Sequence, residues 1–291
     1  MQEGRPIQWF PGHMAKTRRL MEKNIKLVDA VAEVIDARIP YSSRNPELNQ
    51  LAGGKPRIML LNKSDLADPV FTREWIAFFQ EHGMGAIAVD CRSGNGLNGF
   101  LPLAKRILAE KLEAWREKGM AGRRIRILVA GIPNAGKSSL INRLSGNSRA
   151  SVEDRPGVTR SSQWFPVGKE MEVLDTPGIL WPKFEDPAVG ERLAFTGAIK
   201  DDVIDLETLA CRLLEVLAAG YAGLLAKRYR LENDISGLGG YELLEMIGRK
   251  RGMRAGGGAI DTERAAIMLL DEFRAGKIGR ITLEKAGEGH D

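Results

Sequence analysis

The sequence predicts an α/β fold with a mostly parallel sheet, followed by a smaller all-helical C-terminal domain. Three observations carry this. Short apolar, β-branched runs alternate with helical patterns as far as Asp175, the alternation that builds a sheet covered on both faces. From about Pro182 no strand-like run follows. Beyond that point Leu-rich segments keep the i, i+3, i+4, i+7 spacing of helices packed on one side.

The elements follow in order. Ala30–Ala37 (AVAEVIDA), Arg57–Lys63 (RIMLLNK) and Ala86–Cys91 (AIAVDC) read as buried strands. Phe71–Gln80 is helical, with Phe71, Trp75, Phe78 and Phe79 on one side. Leu97, Leu101, Ala104, Leu108 and Leu112 continue a helical spacing to about Glu117. A Gly- and Arg-rich joint, Gly119–Arg124, leads into the strand Ile125–Ile132, a helix from Lys137 to about Leu144, and the runs Gln163–Val167 and Glu170–Asp175. Later, Leu206, Leu209, Ala210, Leu213, Leu214 and Leu217 form one helical stripe with Asp205 as N-cap. Ala266, Leu269, Leu270 and Phe273 form another, capped by Asp261 or Thr262. Gly252–Gly258 is a loop. The expected division is residues 1–184 for the α/β domain and 185–291 for the helical one.

Composition excludes several classes. The 291 residues are 43% hydrophobic and 28% charged, too apolar for a disordered chain. Two cysteines, Cys91 and Cys211, in no CxxC pair, exclude a disulfide framework and a cysteine zinc site. Arg212 and Glu215 interrupt the longest apolar stretch, Leu209–Ala226, and the N-terminal residues have no apolar h-region. No membrane partner and a cytoplasmic location are expected. The net charge of +5 is mild, yet bases cluster at residues 5–26, 105–126 and 227–254. Clusters of this kind mark nucleic-acid binders, and solvated helix faces look the same.

The motifs carry the chemistry. Gly131–Ser138, GIPNAGKS, is a complete GxxxxGK[ST] phosphate loop between a strand and a helix. The backbone N–H groups of Asn134, Ala135, Gly136, Lys137, Ser138 and Ser139 can cradle phosphate oxygens at the helix N-terminus. Lys137 should reach the β- and γ-phosphates and Ser138 a magnesium ion. Asn62–Asp65, NKSD, has the form of the NKxD motif of GTPases. Asp65 can accept from guanine's ring N–H and exocyclic amine, a donor pair adenine lacks, while Asn62 bonds base and loop backbone and the Lys63 stem covers the ring. Asp175–Gly178, DTPG, resembles the DxxG motif, in which Asp175 would hold magnesium through water and Gly178 would sense the γ-phosphate. Thr159 in PGVT is placed as the switch threonine on magnesium, and Cys91–Arg92–Ser93 as the loop whose backbone meets the guanine oxygen.

The order of these motifs is unusual. NKSD precedes the phosphate loop and DTPG, whereas ordinary GTPases place it last. The same sheet can close if Gly119–Arg124 joins the former last helix to the former first strand, so the chain resembles a circularly permuted P-loop GTPase.

The run IQWFPGHM at residues 7–14 closely resembles the start of the ribosome biogenesis GTPase A (RbgA/YlqF) family. DARIPYSSRNP at 36–46, NKSD, GIPNAGKSSLIN, RPGVTR at 155–160 and DTPGILWPK extend the resemblance over the α/β domain. It implies a GTPase acting late in maturation of the large (50S) ribosomal subunit, stimulated by that subunit, with a helical domain that contacts rRNA and no DNA partner. GTP or GDP and Mg²⁺ are the implied ligands. Ile179 stands where many GTPases orient water with Gln. The resemblance implies that His13 of PGHM substitutes for it, although chemistry alone leaves His13 equally a cap of the N-terminal segment. Asn134 is similar to the residue of potassium-activated relatives, where K⁺ takes an arginine finger's place, and equally fits a neutral loop position. Two other readings remain: a small-subunit factor, and a non-catalytic RNA-binding scaffold with GTP as a structural cofactor, which Ile179 favours.

Overall fold

The computed structural model describes residues 11–120, 122–146, 163–176, 186–231, 234–235 and 237–287, with side chains from Arg18 onward. The described residues open with α1 (Pro11–Ile25), then β1 (Ala30–Asp36), α2 (Glu47–Leu51), β2 (Arg57–Asn62), α3 (Pro69–Glu81) and β3 (Gly85–Ala88). After α4 (Phe100–Ile107) and α5 (Ala109–Glu117) come β4 (Ile125–Ala130), α6 (Lys137–Ser145), β5 (Gln163–Val167) and β6 (Met171–Asp175). Four more helices complete it: α7 (Pro187–Phe195), α8 (Leu206–Tyr229), α9 (Gly240–Lys250) and α10 (Thr262–Arg274).

The six strands form one sheet in the order β3-β2-β1-β4-β6-β5, parallel except for β5 against β6. The pleat sends alternate residues of β1 to opposite faces. Val31 packs with Met21, Ile25 and Leu48 of α1 and α2, and Ile35 packs with Trp75 and Phe79 of α3. Ala32 and Val34 enter the other core, beside Phe100 of α4 and Leu140 of α6. The strands therefore read as unbroken apolar runs because both faces are covered.

The predicted helix from Leu97 to Glu117 is interrupted. A short 3₁₀ turn spans Leu97–Gly99, and Leu108, at φ −97° and ψ 16°, separates α4 from α5. The third strand ends at Ala88 rather than Cys91, because Asp90 turns to bridge Asn95 across Gly94.

α8 is long and apolar enough to cross a membrane by length and composition alone. Leu209, Ala210, Leu213, Leu214, Leu217, Leu225 and Tyr229 are its buried positions, in one core with residues of α9 and α10. It is the central helix of the helical region, capped by Asp205, whose carboxylate accepts from the Glu207 and Thr208 N–H groups. Asp261 caps α10 through the Arg264 N–H.

The helical pattern ends at Arg274. Residues 276–285 carry no regular element and run back over the first half of the sheet, where Leu283 N–H donates to Arg38 O and Trp75 Nε1 donates to Glu284 O.

Candidate nucleotide-binding site

The strand directions decide where the chemistry collects. The chain builds β1, β2 and β3 outward on one side, then returns to place β4 beside β1 and β6 beyond it. The order thus reverses between β1 and β4, and a ligand crevice forms at such a switch point, outside the C-terminal ends of parallel strands. Each motif lies at that edge: NKSD after β2, Cys91–Ser93 after β3, GIPNAGKS after β4 and Asp175 at the end of β6.

Two glycines let the phosphate loop take its path. Gly131 has φ +150°, and a Cβ there would strike the Val34 carbonyl of β1. Gly136 has φ +102°, and a Cβ there would strike Asn62 Nδ2. Gly136 precedes α6 without a side-chain cap, so the first N–H groups of that helix face the crevice with the positive end of its dipole. Ser138 and Ser139 lie in this first turn, half-buried.

Asn62 fastens three loops together. Its Oδ1 accepts from the Cys91 N–H at 2.9 Å and its Nδ2 donates to the Ala135 carbonyl at 2.6 Å. Ser64 adds a second tie, its N–H and Oγ both donating to Val89 O. Asp65 itself is exposed. Lys63, at φ +58°, folds back so that Nζ lies 3.0 Å from Asp36 Oδ2. Burial alone would raise the Asp36 pKa, but Arg38 and Lys63 outweigh it and hold the carboxyl well below the usual range.

Lys137 and Asp175 are both buried and attract one another electrostatically. Lys137 Nζ donates to Ile132 O at 3.0 Å, and burial pushes its pKa down to about 8 against the opposing pull of Asp175. Burial pushes Asp175 up to about 6, while Lys137 and the Thr176 N–H pull the other way. Among the described residues, the buried Asp175 Oδ1 has no hydrogen-bond partner. An orphaned carboxylate oxygen beside a desolvated ammonium is the arrangement a phosphate and a divalent cation would complete.

Asn134, at φ +58°, donates Nδ2 to Gly197 O at 2.7 Å, so the phosphate loop touches the turn after α7. Among the predicted residues, Thr159, Gly178 and the side chain of His13 lie outside the described residues, although His13 falls in the first turn of α1. Arg38 escaped the motif reading. Its partners on β1 and α10 are far apart in sequence, and only the DAR run at 36–38 hinted at it.

The sheet order and the motif order define a P-loop GTPase in permuted order. Residues 126–214 match the protein family described as 50S ribosome-binding GTPase. Ribosome biogenesis GTPase A of Bacillus pumilus is 50% identical over 279 residues, 96% of this chain and 98% of that protein. The Bacillus cereus protein of that name is 47% identical over 97% of this chain and 95% of its own length, and the Thermotoga maritima one is 32% identical over 96% and 94%. The solved structure of GNP-bound YlqF from T. maritima aligns with a TM-score of 0.63 at 29% identity, covering 94% of this chain and 99% of that one. GDP-bound YlqF aligns equally well, over 91% and 98%. The chain belongs to the ribosome biogenesis GTPase A family.

Proposed function

We propose that this GTPase acts late in maturation of the large ribosomal subunit, with its GTP state coupled to rRNA contact. The convergence of NKSD, GIPNAGKS and Asp175 on one sheet edge, with Asn62 tying the first two together, carries the reading. The family description, 50S ribosome-binding GTPase, supports the large subunit as target. We divide the chain into a GTPase domain, residues 1–184, and a helical domain, residues 185–291, and place the protein in the cytoplasm, where ribosomes mature.

In this reading Asp65 and Asn62 select guanine, the Cys91–Ser93 backbone meets its oxygen, and Lys137 spans the β- and γ-phosphates. Ser138, Thr159 and Asp175 are the residues for Mg²⁺, which when bound supplies positive charge to the β- and γ-oxygens. Asp175 Oδ1, buried and without a partner among the described residues, fits that role. Gly178 follows the γ-phosphate, and His13 orients the attacking water in place of the missing Gln. A K⁺ ion at Asn134 would use Oδ1, the acceptor of the amide, while Nδ2 donates to Gly197 O.

Several bases are matched within the chain, Lys105 by Glu170, Arg126 by Glu172 and Arg228 by Glu272. Contact with rRNA therefore falls on exposed residues such as Arg230, Arg249 and Arg254.

The test is GTP turnover in potassium and in sodium buffer, alone and with purified large or small subunits. Large subunits alone should stimulate, potassium should exceed sodium, and His13→Ala should lower stimulated turnover while leaving nucleotide affinity intact. Stimulation by small subunits would move the target. Tight GTP binding with no stimulation would favour the scaffold reading, to which Ile179 already points.

A further inference from the structure

The base-reading loop is gripped from behind by the far end of the chain. Residues 63–68 link β2 to α3, and the exposed Asp65 stands in their middle. On one side Ser64 is tied to Val89, as described. On the other, three backbone acceptors around Asp65 are taken by residues 280 and 281. Arg280 Nη2 donates to Ser64 O at 2.9 Å, Ile281 N–H to Leu66 O at 2.9 Å, and Arg280 Nε to Ala67 O at 2.8 Å. Next to them Asp68 N–H donates to Thr282 Oγ1 at 3.1 Å. Packing reinforces the grip: Gly276 has φ +71°, and a Cβ there would lie 2.6 Å from Leu66 Cδ2.

Past Ile281 the strap is fixed twice more. Tyr221 of α8 holds Thr282, its hydroxyl donating to Thr282 O and accepting from Thr282 N–H. The buried Glu284 carboxylate accepts from the Tyr41 and Ser42 N–H groups. Ile281 is 1% exposed and Thr282 4% exposed, so these two residues belong to the interior.

We propose that this strap, residues 276–284, positions the base-reading loop, and that Arg280 is a positioning residue for guanine selection. This role rests on the reading that Asp65 accepts from guanine. A carboxylate can discriminate a donor pair only if its backbone is held to a fraction of an ångström. Asp65, being exposed, is held by its neighbours' backbone, and those carbonyls are the ones the strap binds. The guanidinium fork reaches two of them at once, a geometry a Lys ammonium does not reproduce. The helical region thereby acts on the base end of the nucleotide, opposite the phosphate end that Asn134 and Gly197 join.

Equilibrium binding of GDP and inosine diphosphate to the full-length chain tests this, because inosine lacks only the exocyclic amine. The wild type should prefer GDP, and Asp65→Ala should abolish the preference. Arg280→Met should weaken GDP binding about tenfold while inosine diphosphate changes much less, so the preference shrinks. Arg280→Lys should fall between. Arg280 is exposed, and an unshifted thermal midpoint would show that the variants fold. Equal weakening of both nucleotides, or no change in either, would overturn the positioning role while leaving the base reading intact. A wild type without preference for GDP would instead overturn the base reading, and the strap's role with it.

Discussion

Lys137 and Asp175 show how burial prepares a site for a charged ligand. Each loses hydration in the folded chain, and their mutual attraction offsets only part of that cost. The consequence for stability has a definite sign. Asp175 has a folded pKa of about 6 against the ordinary 3.8, so the folded nucleotide-free chain binds the proton more tightly than the unfolded one. Its contribution is therefore fully present below the unfolded value and is lost as pH rises from about 4 to about 6. By linkage the loss approaches about 3 kcal/mol. Asp175→Asn, which carries no such charge, should gain stability relative to the wild type by about that amount between pH 4 and 7, read as the difference in urea midpoints. A constant difference across that range would mean that Asp175 is hydrated after all. At this scale the sequence was informative wherever a motif is contiguous, since GIPNAGKS and NKSD name their own neighbours. It was silent on Arg280 and on the Asn134–Gly197 contact, whose partners lie 213 and 63 residues away.

Among the elements, the strands and the capped helices were legible because their signals are local: unbroken apolar runs, and Asp205 or Asp261 ahead of a Leu stripe. α1 was not, because its described buried side chains, Met21, Asn24 and Ile25, make a narrow and partly polar stripe within a basic segment. The hinge between sheet and helices was equally hidden. Arg38, 1% exposed at the end of β1, donates Nε and Nη2 to the Asp36 carboxylate and Nη1 to the Phe273 and Arg274 carbonyls of α10, and it stacks over the Phe273 ring. Arg274 in turn pairs with Asp201 and donates to Phe195 O. The last turn of α10 is thus clasped between β1 and the end of α7. Arg38→Met keeps most of the volume but leaves Asp36 buried with Lys63 as its remaining cation, which should destabilise by about 3–5 kcal/mol. Adding Asp36→Asn should recover a large part of that loss, since the uncompensated charge is what costs most. Strictly additive losses, measured by denaturant unfolding of the four chains, would locate the effect in packing instead.

Across the whole molecule, the permutation was readable from motif order alone, and the sheet order agrees: the switch point lies between β1 and β4, so the phosphate loop of the later half meets the base loop of the earlier half. The closing of the chain was not readable, because a strap without periodicity leaves no pattern in the sequence. Its thermodynamic consequence is reciprocal. If the strap raises GDP affinity about tenfold, bound GDP must disfavour strap opening by the same factor. Hydrogen exchange separates this from general stabilisation. Amides that exchange through global unfolding, such as those buried in β1, should slow without limit as GDP concentration rises, because the unfolded chain binds none. The Ile281 N–H, exchanging through local opening in which GDP still binds weakly, should slow by about tenfold and then reach a plateau. In Arg280→Met the plateau should shrink toward none. Continued slowing of Ile281 in parallel with β1 would mean that the strap never opens apart from the rest of the fold. An unchanged rate would mean that strap and base are uncoupled. A plateau would make the end of the chain part of the nucleotide site, with strap opening as the motion that links the helical region to guanine release.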